Sequence, residues 1–237
     1  MNKEIVSIIP LALLAVFLVT NLDLITSGNS KDEFTITIHK CATGEKSKLK
    51  ACPADVTSVW DNCFGTYDGK NGKKNSIVEL ARGVYQDEVA LYQGEWKNDL
   101  FHGCGIEKIP SRGTYTGQFK NGLVEGFGIQ EFPNGQVYKG DWKNNMKHGV
   151  GEDTYATGDR YLGEFKNNMR HGRGKEYWES EPFTGDVFTG SYENDLRHGP
   201  GEYIRANGTG FECVFTKGTC PGREFTSVEW DNQVRSD

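Results

Sequence analysis

The stretch YKGDWKNNMKHGVG, which begins at Tyr138, decides the fold because it recurs along the chain. The first four copies begin 23 residues apart, and a four-residue insertion near residues 178–183 displaces the fifth. The five copies begin at Tyr92, Tyr115, Tyr138, Tyr161 and Phe188. A degenerate sixth copy begins at Phe211, and in it Cys213 replaces the first glycine. A repeat of this period indicates a stacked architecture in which each unit buries apolar side chains against its neighbours.

Each copy predicts a β-hairpin. In Tyr138-x-Gly140-x-Trp142, the alternation places both rings and the glycine on one face of a strand. A polar turn at residues 143–145 follows, built from residues that tolerate positive φ, and we expect the returning strand to open at Gly149. The recurring glycines are expected to let the facing rings lie over bare backbone.

The shared pattern Y-x-G-x-[WF]-x-N-[GND]-x-x-x-G-x-G resembles the MORN repeat (membrane occupation and recognition nexus) over residues 92–201. The resemblance implies an all-β fold, an elongated antiparallel sheet solenoid of about six β-hairpin repeats with an aromatic-lined groove. In that family the repeats mediate protein–protein contact, dimerisation or attachment to membranes. They carry no chemistry of their own, so the resemblance implies neither a cofactor nor an enzyme.

Residues 1–29 are predicted to direct export. Residues 5–20 are uncharged and follow Lys3, and this run is shorter than the roughly 20 apolar residues of a spanning helix. Its length and flanking charge are typical of a secretory signal. No Ala-x-Ala site follows, so a cleaved signal peptide and an uncleaved anchor within residues 5–25 both stay open. In either case the rest of the chain is expected in the periplasm, cell envelope or extracellular space.

The segments that flank the repeats are predicted to cap them, because a stacked sheet needs its end faces covered. Residues 33–39 alternate as a strand, residues 77–92 are expected to supply one or two more, and residues 60–65 resemble the returning half of a repeat. The predicted divisions are an N-terminal cap with a degenerate repeat, the MORN repeat solenoid and a C-terminal tail, at residues 30–91, 92–222 and 223–237.

Six cysteines form an even set, which in an oxidising compartment indicates disulfides. We expect Cys52–Cys63 and Cys213–Cys220, because each pair lies close in sequence within an irregular end unit. Cys104 either pairs with Cys41 or is free. The sequence has no C-x-x-C and no tight Cys/His cluster, so no metal site is predicted.

Two rows of aromatic residues are the candidate binding residues. We expect them first to pack the sheet across strands, and then to line a partly open groove for a peptide, a glycan or a partner subunit. The rows comprise Tyr92, Trp96, Tyr115, Phe119, Tyr138, Trp142, Tyr161, Phe165, Phe188 and Tyr192.

Histidines and carboxylates also recur at fixed repeat positions. The histidines are His102, His148, His171 and His198. Equivalent residues two strands apart are separated by about 10 Å, too far to share a zinc ion, so a turn-closing role is expected. Outward-facing carboxylates at the position of Asp141 are expected to form a solvated surface balanced by nearby lysines. No motif distinguishes a catalytic residue.

The charge balance bears on the partner. The chain has 33 acidic and 27 basic residues and a net charge of −6, which excludes the basic character of a nucleic-acid-binding protein. The leading hypothesis is a non-enzymatic exported scaffold that binds a protein partner or itself at the cell envelope. The alternative is a peripheral module that binds membrane lipid through the stripe Lys97, Lys120, Lys143 and Lys166. A third hypothesis, an enzyme acting on an envelope polymer, has no assignable catalytic residues.

Overall fold

A computed structural model describes residues 49–53, 58–59, 61–67 and 91–221, and these contain strands, turns and connecting loops. The described strands form one sheet in which each strand lies beside its neighbours in chain order. All described pairs are antiparallel except β1–β2. The strands are β1 Lys50–Ala51, β2 Cys63–Tyr67, β3 Leu91–Lys97, β4 Leu100–Ile109, β5 Gly113–Lys120, β6 Leu123–Glu131, β7 Val137–Lys143, β8 Met146–Thr154, β9 Arg160–Lys166, β10 Met169–Tyr177, β11 Val187–Glu193, β12 Leu196–Ile204 and β13 Gly210–Phe215. The predicted all-β sheet of successive hairpins is confirmed.

Several predicted segments lie outside the described residues, namely residues 1–48, most of residues 77–92 and the tail at residues 223–237. The described part of the degenerate repeat joins the sheet, because Gly65 of β2 lies opposite Gly94 of β3. The described residues contain no helix with the length and apolar character needed to cross a membrane.

The hairpin turns are shorter than the sequence suggested. Asn144 and Asn145 have φ values of 51° and 65°, the left-handed conformation at both positions that a two-residue type I′ turn requires. Lys143 therefore still belongs to β7 and pairs with Met146. The returning strand begins at Met146, so the predicted start at Gly149 is wrong by three residues.

Gly149 instead lies at a β-bulge. The register between β7 and β8 shifts between the pairs at Gly140 and Trp142, and Gly149 has a φ of 57°. One residue of β7 here opposes three residues of β8. The two extra residues disrupt the ladder locally, and a left-handed glycine accommodates them. The same register shift occurs in the other four hairpins of the repeats.

The aromatic rings lie over bare backbone, as predicted. A Cβ placed on Gly140 or Gly151 would lie 2.6 or 2.4 Å from the hydroxyl oxygen of Tyr138. That hydroxyl donates to the carbonyl oxygen of Asp141 at 3.0 Å. The Tyr138 ring also meets Phe165 of the next repeat edge to face, with centroids 5.1 Å apart. The glycines thus admit rings that join one repeat to the next.

Disulfides lie at both ends of the described sheet. Cys52 is joined to Cys63 and Cys213 to Cys220, the two pairs expected from the sequence. Cys104 is also disulfide-bonded, and its partner lies outside the described residues. At the C-terminal end the ring of Phe211 stacks on Tyr203, with centroids 5.4 Å apart, and Cys213 pairs with Gly201.

Candidate functional site

The face of the sheet that carries the rings, here called the aromatic face, brings the ten predicted binding residues together. These rings are buried, and Trp142, the most accessible of them, is 9% exposed. All ten belong to the hydrophobic core cluster of the described residues. Neighbouring repeats are connected through edge-to-face contacts, such as those of Tyr115 with Trp142 and Tyr161 with Tyr192. In this structure the ten residues form the core of the sheet.

Sequence reasoning missed three cationic side chains on the aromatic face, and they belong to one row of equivalent repeat positions. The second residue of each returning strand occupies this row, and it changes from apolar to cationic along the chain: Phe101, Val124, Lys147, Arg170 and Arg197. Lys147 Nζ donates to Asp153 Oδ2 at 2.5 Å and lies 4.7 Å from the centroid of the Tyr138 ring. The signal in the sequence is a basic residue followed six positions later by an acidic one in the third and fourth copies.

Glu176 is the acidic centre of this row. Its Oε2 accepts from Arg197 Nη2 at 2.7 Å, and its Oε1 accepts from Arg170 Nη1. All three side chains are nearly buried. Burial alone raises the pKa of Glu176, but the two guanidinium groups outweigh it and hold that pKa below its ordinary value. The carboxylate therefore stays ionised and links the fourth repeat to the fifth.

The outward-facing carboxylates stabilise the bulges, so the prediction of a merely solvated surface is wrong for them. Asp141 Oδ2 accepts from the backbone N–H of Val150 at 3.0 Å, and Glu164 Oε1 accepts from that of Arg173 at 2.8 Å. In the second repeat, Gln118 makes the equivalent bond. Burial raises the pKa of Asp141. The bulge presents an N–H group without a partner in the sheet ladder, and this side chain satisfies it.

At the histidine position, the residues of two repeats accept a hydrogen bond from the next turn. His198 Nδ1 accepts from the backbone N–H of Lys217 at 3.5 Å. Glu125, which holds this position in the second repeat, accepts from the N–H of Asn144 at 3.1 Å. These two contacts support the predicted turn-closing role for His198 and Glu125. Among the described residues, Nδ1 of His102, His148 and His171 is buried without a hydrogen-bond partner, so the prediction is not supported at those three positions. In the described ranges, no three His, Cys, Asp or Glu side chains are grouped so that they could hold a metal ion.

The four lysines of the predicted basic stripe are exposed. Each ends the first strand of its hairpin, on the face opposite the aromatic rings: Lys97, Lys120, Lys143 and Lys166. Glu193 takes this position in the fifth repeat and reverses the charge.

The repeats match a known family. A family model described as MORN repeat matches residues 92–114, 115–137, 138–160, 161–181 and 188–210. The five matched segments correspond to the five hairpins β3–β4, β5–β6, β7–β8, β9–β10 and β11–β12. No curated protein matches the chain significantly.

Proposed function

This chain belongs to the MORN-repeat proteins, and we propose that it is a non-enzymatic exported scaffold mediating protein–protein contact or self-association at the cell envelope. The observation that carries the proposal is the unbroken antiparallel pairing from β2 to β13. Such a sheet offers an extended surface of repeated units, which suits a binding partner better than a small-molecule substrate.

The disulfides support the exported location. Cys52–Cys63 and Cys213–Cys220 both lie at the ends of the described sheet, and disulfides persist mainly in oxidising compartments. The proposal places the protein in the periplasm, in the cell envelope or outside the cell, with residues 5–25 as signal or anchor.

The buried charges support a structural role. Lys147, Arg170 and Arg197 each meet a carboxylate and aromatic rings on the aromatic face. Their charge is used within the fold, where it holds repeats together. The contribution of the ten aromatic residues to partner binding stays a prediction, and their burial directs attention to the opposite face.

Localisation and redox state test this proposal in the native host. Cells are fractionated after free thiols have been trapped with an alkylating reagent, and a short amine-reactive crosslinker is added to intact cells in parallel. We expect the protein in the envelope or extracellular fraction, with oxidised cysteines, crosslinked to itself or to another envelope protein. A cytoplasmic protein with alkylated cysteines would contradict the proposal, and a sample reduced before alkylation is the control.

Lipid binding is the alternative, and the row of exposed lysines favours it. Against it, residues 92–201 contain 13 basic and 16 acidic residues, a net charge of −3. Sedimentation with vesicles of anionic or zwitterionic lipid tests it, using the full chain and a variant in which all four lysines are glutamine. Binding to anionic vesicles that weakens with salt and with the substitutions would support the alternative. Equal or absent binding in all samples would end it.

A further inference from the structure

The face opposite the aromatic rings is open over the last strands. Val214 is 67% exposed and Ile204 is 39% exposed. A groove of about 500 Å³ lies there, lined in part by Pro200 and Val214. At outward positions earlier in the sheet, Phe127 and Leu162 are 9% and 8% exposed. The outward surface of β10–β13, here called the C-terminal outer surface, is therefore left exposed by the described residues, and it carries both apolar and charged side chains.

The strand register arranges charge across this surface. One row crosses the four strands in the order Lys175, Thr189, Glu202 and Glu212. The adjacent row runs Arg173, Ser191, Pro200 and Val214. The surface is thus positive at β10 and negative at β12 and β13. Within one chain Glu202 and Glu212 lie directly opposite each other, which is unfavourable for like charges.

We propose that a second copy of this chain docks on the C-terminal outer surface, face to face and with reversed strand order. A two-fold axis parallel to the strands, between β11 and β12, places β10 of one copy over β13 of the other. Lys175 then faces Glu212 of the second copy, and Thr189 faces Glu202. Because the interface is isologous, each contact occurs twice. The inference rests on the proposed function and specifies the surface through which the chain associates with itself.

Charge complementarity selects this occupant. A basic peptide would satisfy Glu202 and Glu212 but would meet the like charges of Arg173 and Lys175. The surface of a second copy, related by the two-fold axis, places its Lys175 over Glu212 and its Glu212 over Lys175. Four strands about 4.8 Å apart form a small patch, below the roughly 800 Å² per partner of a standard interface, so the dimer is expected to be weak.

A charge-exchange experiment tests the proposal. Sedimentation velocity of the full chain in density-matched mild detergent is measured from micromolar to millimolar concentration for wild type, Lys175→Glu, Glu212→Lys and the double variant. We expect a reversible wild-type dimer, about tenfold weaker dimerisation in each single variant, and recovery to within about threefold in the double variant. Lys139→Glu is the matched control, because Lys139 lies in the same cross-strand row but in the third repeat.

The outcomes separate this inference from the proposed function. A wild-type monomer throughout the range, or a double variant as weak as the single ones, would overturn the docking surface. A dimer unaffected by either single substitution would also overturn it, while leaving a self-associating scaffold in place. Thermal unfolding of each variant checks that its monomer is folded. Glu212→Lys removes the repulsion from Glu202, so it is expected to keep the monomer folded and to supply a valid test by itself.

Discussion

Arg197 Nη2 donates to Glu176 Oε2 at 2.7 Å, joining β12 of the fifth repeat to β10 of the fourth. The same carboxylate accepts from Arg170 of its own strand. In the first two repeats, Phe101 and Val124 hold the position of these arginines. The side chain at this position of the aromatic face therefore changes from apolar to ionic along the sheet.

Replacing Glu176 with glutamine should destabilise the protein strongly. The substitution leaves Arg197 buried without its countercharge and leaves Arg170 with Asp195 as its remaining carboxylate partner, and breaking a buried ion pair from one side costs about 3–5 kcal/mol. Denaturant unfolding measures the change in the free energy of unfolding. Glu179→Gln, at an exposed position three residues away, is the control and should be close to neutral. A decrease in the free energy of unfolding below about 1 kcal/mol for Glu176→Gln would contradict a structural role for its ion pairs with Arg170 and Arg197.

The stability contributed by Glu176 should also depend on pH. Its pKa is lowered in the folded protein, so its stabilisation is present above the ordinary glutamate pKa and is lost as pH falls through the folded pKa. Wild type should therefore lose more stability than Glu176→Gln between neutral and acidic pH. Parallel unfolding curves over this range measure the difference, and identical pH dependence would exclude the linkage.

Asp141→Asn should retain or increase stability at neutral pH. The amide oxygen can accept from the N–H of Val150 as the carboxylate does, and Gln118 already makes this bond in the second repeat. Burial raises the folded pKa of Asp141, so its favourable contribution exists at low pH and is lost as pH rises through that pKa. The asparagine variant should lack this loss in unfolding experiments across acidic to neutral pH.

Asp141→Ala is the informative partner of that variant. It removes the acceptor and leaves the bulge N–H unsatisfied, which should cost about 1–2 kcal/mol in the free energy of unfolding. If alanine and asparagine behave alike, the side chain at position 141 does not stabilise the bulge.

Gly151→Ala should destabilise the sheet by about 2 kcal/mol or more, because the new methyl group would meet the Tyr138 ring. Tyr138→Leu removes that ring and opens a cavity, so it is destabilising alone. The double variant should be less destabilised than the sum of the single variants, since the clash no longer exists. Chemical unfolding of all four proteins gives the coupling, and strict additivity would show that the ring does not occupy the space over Gly151.

Replacing Cys213 and Cys220 together with serine should loosen the C-terminal end alone. On the chain-entropy model such a short loop contributes at most about 3 kcal/mol. Hydrogen exchange should increase at β12 and β13 while residues 115–174 keep their protection. A Cys52→Ser/Cys63→Ser variant is the counterpart, and its faster exchange should be confined to β2 and β3. Uniform loss of hydrogen-exchange protection in either variant would contradict the prediction that each disulfide stabilises only its own end of the sheet.

Local chemistry made most of the fold predictable. Alternation in Tyr138-x-Gly140-x-Trp142 and the turn residues that follow it specify a hairpin without reference to the rest of the chain. The pairs Cys52–Cys63 and Cys213–Cys220 were expected from short separations within the end units, and both are present. The start of the returning strand was misplaced because a glycine in a bulge and a glycine in a turn look alike in sequence.

By itself, the sequence determined the repeat period, the hairpin and the burial of rings over glycines, because these follow from periodicity and from side-chain size within about ten residues. Only the tertiary structure decided which charges are buried and paired. Glu176 and Arg197 are 21 residues apart and meet only because β10 and β12 flank the same strand. The register of the sheet likewise places Lys175 in one row with Glu212. Such contacts depend on how several hairpins align, and no single repeat contains that information.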